Sequence, residues 1–170
     1  MKKPFLFSIL FSLIIFACEG PVGPRGPEGP QGPGAFAMEY EVDLGTNTDY
    51  AALLTYDFEI AGSDIVLVYL LDRFEDNLDF WRLMPQTYET QYGELTYNFD
   101  YTIYDAEVFL ESDFDRALIG NLGANYLQAQ VFRVVVIPAD LLAAGRHQID
   151  FSNYDQVAAA FNIDSATKKY

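Results

Sequence analysis

The amino-acid sequence predicts an all-β protein: over residues 35–170, an antiparallel β-sandwich of about nine strands, jelly-roll or immunoglobulin-like in topology. Apolar and polar residues alternate strictly along most of this segment, as in strands with one buried face. The glycines after residue 34 (Gly45, Gly62, Gly93, Gly120, Gly123 and Gly145) all fall between the alternating runs, where turns belong. Helical periodicity is confined to two short stretches near the C-terminus.

The strands follow in order. Over 36–44, Phe36, Met38, Tyr40, Val42 and Leu44 share one face, while Ala37, Glu39, Glu41 and Asp43 share the other. This pattern predicts a half-buried strand with a wet outer face. Over 52–60, Ala52, Leu54, Tyr56, Phe58 and Ile60 repeat it, with Asp57 and Glu59 outside. Residues 65–71 are apolar on both faces, which predicts a central strand. A strand over 78–84 is stopped by Pro85. Segments 87–92 and 94–103 form a predicted hairpin around Gly93, with Tyr97, Phe99, Tyr101 and Ile103 inward. Residues 105–111 alternate again, 131–137 are β-branched and closed by Pro138, and 147–154 make a last strand. Ala139–Ala144 predicts one helical turn, and 155–161 a short helix with Asp155 as N-cap.

Ahead of the sandwich, Lys2 and Lys3 precede an uncharged run from Pro4 to Ala17. This run falls short of the ~20 residues that span a bilayer, so 1–17 reads as a signal peptide. It ends at Ile15-Phe16-Ala17-Cys18, which resembles a lipobox, with Cys18 the lipidated residue; Phe16 is bulkier than is usual there. Acyl chains on Cys18 would tie the mature protein to a membrane. Residues 18–34 then form a collagen-like stalk. Gly20, Gly23, Gly26, Gly29 and Gly32 recur at every third position, each followed by proline. Only glycine fits the axis of a triple helix. The same run as a single polyproline II spacer would extend roughly 45 Å. Homotrimer and monomeric spacer therefore both remain open.

The runs DIVLVYLL, WRLMPQTY, LTYNFDYT and QVFRVVVIPADLL, set behind a lipobox and a short G-P-x stretch, resemble a family of bacterial collagen-like lipoproteins. The resemblance covers nearly the whole chain. It implies the order of anchor, stalk and β domain in the bacterial envelope, at the outer membrane or cell surface, and it implies no catalytic residue.

Charge narrows the partners. The chain carries 25 acidic and 10 basic residues; loss of Lys2 and Lys3 with the leader leaves a net charge of −17. So negative a surface repels phosphate backbones and anionic headgroups, which excludes nucleic acid and leaves the lipid as the membrane tether. With a single cysteine no intrachain disulfide forms, so the domain relies on its core.

Catalytic signatures are sparse. No G-x-S-x-G elbow occurs, and the sole histidine, His147, has Asp150 and Ser152 near it in sequence but not on its face. One histidine and no free thiol cannot make a zinc site. Calcium is the better metal candidate. Asp72, Glu75, Asp76, Asn77 and Asp79 are expected to share a loop between strands, and Glu111, Asp113 and Asp115 to crowd one strand edge. Neither cluster has EF-hand spacing. The alternative for both is a solvated acidic edge that resists strand pairing. Tyrosines and Trp81 offer stacking platforms for a glycan, although Trp81 shares a face with Leu83 and is expected in the core. The expectation is a non-enzymatic, lipid-anchored module that binds a protein or glycan or serves a structural role. The alternatives are an extracellular carboxylate-dependent hydrolase and a trimeric assembly protein.

Overall fold

A computed structural model describes residues 34–143, 149–163 and 168–169, all within one unit of the chain, 32–170. The signal peptide, Cys18, the stalk glycines from Gly20 to Gly32, and His147 lie outside the described residues.

Eight of the described strands pair into two antiparallel sheets packed face to face. The first sheet has the order β4 (Leu78–Leu83), β3 (Ile65–Glu75), β8 (Gln130–Ile137), β1 (Phe36–Val42). Residues Lys168–Lys169 (β9) run parallel beside β1. The second sheet has the order β2 (Ala51–Thr55), β7 (Asp105–Ser112), β6 (Gly93–Tyr101), β5 (Gln86–Thr90). Strand β1 pairs with β8 and strand β2 with β7, so the sequence-distant halves of the domain close on each other.

The principal core lies between the sheets. Met38, Tyr40, Val66, Val68, Phe132 and Val134 enter from the first, and Leu54, Leu95, Tyr97, Val108 and Leu110 from the second. Met38, Tyr40, Leu54 and Tyr97 are inward positions that alternation predicts, and each fully buried aliphatic side chain of this core stabilises by about 1.5–3 kcal/mol. Tyr101 and Phe58, both expected inward, are exposed: Tyr101 stacks on Phe99 with ring centroids 6.5 Å apart, and Phe58 lies past the end of β2 with its ring 4.7 Å from that of Phe36. The connection between β7 and β8 holds a 3-10 turn at Arg116–Asn121 and a single helical turn, α1 (Ala124–Leu127), neither of which the sequence pattern predicted. It adds Ile119, Leu122 and Leu127 to the core.

A second core corrects part of the expected wet outer face of β1: Glu41 and Asp43 are exposed, but Ala37 and Glu39 are covered. The outward side chains of the first sheet, Tyr69, Val135 and Ile137, are covered by helices α2 (Ala139–Ala143) and α3 (Tyr154–Phe161), through Leu141, Leu142, Val157 and Phe161. The middle of the first sheet is thus buried on both faces, which explains the apolar run of β3 over 65–71 and the apolar character of β8 around Arg133. Three boundaries also differ from expectation. Strand β2 ends at Thr55 rather than at 60. The predicted last strand over 147–154 is absent among its described residues: 149–153 are loop and turn, and Tyr154 begins α3. The N-cap of α3 is Asn153, not Asp155, because the Asn153 side chain accepts a hydrogen bond from the Gln156 N–H.

Candidate functional site

The β3–β4 hairpin builds one wall of a groove on the outer face of the first sheet. Glu75 and Leu78 close it around a two-residue turn, Asp76-Asn77, with φ values of 50° and 65°. Two consecutive positive φ angles mark the tight hairpin turn that matches strand twist, and Asp and Asn tolerate it. One residue is bulged: the register shifts between Leu71 and Arg73, so Asp72 has no opposite number. The bulge reverses the alternation beyond it. Phe74 consequently pairs with Asp79 and stands on the same face as Trp81.

The facing wall is the turn before α3. Tyr69 donates its hydroxyl to the Phe151 carbonyl at 2.7 Å, which ties this turn to the sheet. Asp150 Oδ1 accepts from the Ser152 N–H at 2.9 Å and from its hydroxyl at 2.7 Å. These bonds hold the Asp150 carboxyl below its ordinary range. Tyr154, first residue of α3, then sits 5.4 Å from the Tyr69 ring, edge to face, and 6.1 Å from Trp81. Burial raises the hydroxyl pKa of both Tyr69 and Tyr154, so both remain neutral.

At the floor lies Arg133. It is opposite Glu39 on β1 and Tyr69 on β3 in register, and all three point outward. Its guanidinium carbon is 3.9 Å from the Trp81 ring centroid and 4.4 Å from that of Tyr154. Arg133 and Glu39 are 8% and 7% exposed and form a charge-assisted hydrogen bond; Asp79 stands 4.0 Å away. Arg133 Nε is buried and has no partner among the described residues. The groove is open to solvent and offers about 840 Å³, with Phe74, Leu78, Asp79, Trp81, Tyr154 and Asp155 among its lining beside Arg133 and Asp150. At its lip Phe74 and Leu78 are 64% and 61% exposed.

A smaller pocket of about 330 Å³ lies against β3, β5 and α1, with Asp72, Tyr88, Tyr97 and Tyr126 among its lining. Its polar groups are engaged with one another. Tyr88 donates to Asp72 at 3.2 Å and Tyr97 to the Tyr126 carbonyl at 2.7 Å.

The calcium candidates are dispersed. The expected loop over 72–79 is a continuous hairpin. Asp72 pairs with Arg73 and Arg82 on the face opposite Asp79, while Glu75 pairs with Arg73 and Asp76 occupies the turn. Glu111 accepts from Asn98 at 2.9 Å, Asp113 from the Glu94 N–H at 2.7 Å, and Asp115 from the Ala117 N–H at 2.9 Å. Those carboxylates satisfy a strand neighbour, a turn and a helix start. Among the described residues no group of three or more His, Cys, Asp or Glu side chains is gathered for a metal ion. Trp81 is half-buried, belonging to the second core and to the groove together. Sequence reasoning missed Glu39, Phe74, Arg133 and Tyr154 as site residues. The one local signal was a charge at Arg133 inside an apolar β-branched run, which demands a buried partner.

In comparisons with protein-family models, with curated proteins and with solved structures, the chain has no match.

Proposed function

We propose that this protein is a lipid-anchored module of the bacterial envelope, held out by its G-P-x stalk, that binds a ligand in the groove between the β3–β4 hairpin and α3. The anchor and stalk rest on the lipobox-like run ending at Cys18 and on the glycine period from Gly20 to Gly32. The groove carries the binding reading: an open concavity with aromatic side chains, convergent polar groups and an apolar lip suits a recognition surface. In topology the sandwich is closer to a jelly roll than to an immunoglobulin domain. The immunoglobulin arrangement keeps its first two strands in one sheet, whereas β1 and β2 lie in different sheets here.

The experiment is an array of envelope glycans and peptides probed with the native chain and with Phe74→Ser/Leu78→Ser. Both substituted residues are exposed, so the variant keeps the fold. Binding that the variant loses supports the reading, and binding that survives it moves the site elsewhere. Release of the Cys18→Ala chain from membranes checks the anchor. Sedimentation of residues 19–170 against 35–170 separates spacer from triple helix: a trimer only in the longer form assigns assembly to the stalk.

A second reading, a carboxylate-dependent hydrolase, draws on Asp79, Asp150 and Asp155 lining one aromatic groove. A general acid for glycoside hydrolysis needs a raised pKa. Asp150 is shifted the opposite way. New reducing ends released from an envelope polysaccharide by the native chain, and not by Asp79→Asn, would favour this reading over simple binding.

A further inference from the structure

The groove already holds one cation. Arg133 lies between the rings of Trp81 and Tyr154 at 3.9 and 4.4 Å, with Glu39 beside it and Asp79 at 4.0 Å. A similar pairing stands on the other face of the hairpin, where the Arg73 guanidinium sits 3.9 Å over the Phe80 ring. Among the described lining residues Arg133 is the only cation, and Glu39 pairs with it. Asp79, Asp150 and Asp155 leave the walls net negative. The hydrogen bonds from Ser152 keep Asp150 ionised. Beyond the groove the whole chain is acidic, with 25 carboxylate against 10 basic side chains, so long-range attraction draws positive groups towards it and repels anions.

From this charge complementarity, and resting on the binding reading above, we propose that the groove takes a cationic peptide segment of a partner protein. Its arginine or lysine heads would lie on the groove aromatics against Asp79 and Asp155, and its aliphatic stems would cross the Phe74–Leu78 lip. Cation–π attraction favours a guanidinium or ammonium over a neutral hydroxyl at such rings. The flexible apolar stems of these side chains suit an exposed apolar edge with acids behind it.

The chain purified from membranes in neutral detergent is titrated with a tetra-arginine amide peptide. A tetra-glutamate peptide and a neutral β-linked glucose oligosaccharide serve as comparators. Tetra-arginine is expected to bind, weakening as salt rises, with no binding of tetra-glutamate. Asp79→Asn/Asp155→Asn is expected to weaken it about tenfold. Phe74→Ser is expected to weaken it too, whereas Asp100→Asn/Glu107→Gln, on the outer face of the other sheet, leaves it unchanged. Equal weakening by the two double neutralisations would overturn the proposal, because attraction would then be diffuse. Oligosaccharide binding that Phe74→Ser abolishes, without tetra-arginine binding, would overturn it and leave the binding-module reading standing. Binding of neither ligand in the groove removes the proposal and weakens that reading with it.

Discussion

Replacing Glu39 by alanine tests the floor of the groove directly. Glu39 and Arg133 are cross-strand neighbours, each less than a tenth exposed, so the substitution strands a buried guanidinium. Breaking such a pair costs about 3–5 kcal/mol. Three neighbours soften the loss. Trp81 and Tyr154 lie within 4.4 Å, and Asp79, which faces solvent on one side, is 4.0 Å away. The expected cost is therefore at the low end, about 3 kcal/mol. With a urea slope of about 2 kcal/mol per molar, the midpoint falls by about 1.5 M. Trp81 is the only tryptophan and touches the perturbed group, so its fluorescence reports the transition. The double replacement Glu39→Met/Arg133→Met removes both charges and is expected to lie within about 1 kcal/mol of the native chain. A single-mutant cost below about 1 kcal/mol, or a double mutant weaker than the single, would refute the reasoning.

Other outcomes follow from particular atoms. The buried Tyr56 hydroxyl has no hydrogen-bond partner among the described residues, so Tyr56→Phe is expected to raise stability by up to about 1 kcal/mol in thermal unfolding; a loss would mean the hydroxyl is satisfied. Gly93 has φ +136°, and a Cβ there would run into the Asp113 carboxylate that accepts from the Glu94 N–H, so Gly93→Ala should cost about 2 kcal/mol by urea titration. An unchanged midpoint would contradict that geometry. Burial raises the pKa of Tyr56, Tyr69 and Tyr97 above the ordinary value of 10.0. The unfolded chain therefore sheds these protons first, and the stability they contribute is complete below pH 10 and is lost as pH rises beyond it. Circular dichroism should show cooperative alkaline unfolding above about pH 10, and phenolate absorbance rising fully in a folded chain would contradict this.

The sandwich was legible in the sequence because its information is local. Alternation at period two assigns Met38, Tyr40, Leu54 and Val108 to one interior, and the unbroken apolar run over 65–71 marks β3 as central. The outer face of the first sheet was not legible, since what covers it comes from residues 139–161, a hundred positions after β1. Glu39 looks like any wet carboxylate until Arg133 is set opposite it. The segment 149–154 alternates like a strand through Ile149 and Phe151, yet Asn153 caps a helix and ends that pattern. At the groove, the bulge at Asp72 inverts the faces beyond it, so alternation alone assigns Phe74 to the wrong side. The convergence of Trp81, Arg133 and Tyr154 is tertiary and leaves no spacing signature. The proposed anchor and stalk rest on the linear pattern alone, in residues outside those the structure describes.

The most direct test of the groove as the binding surface is a map of amide and indole chemical shifts in the native chain during titration with the tetra-arginine peptide. Shifts are expected to cluster at Phe74, Asp79, the Trp81 indole N–H and residues Asn153–Asp155, with sheet-two residues such as Asp100 and Glu107 unmoved. Shifts gathered instead around Tyr88 and Tyr126, or spread evenly over the acidic surface, would contradict it.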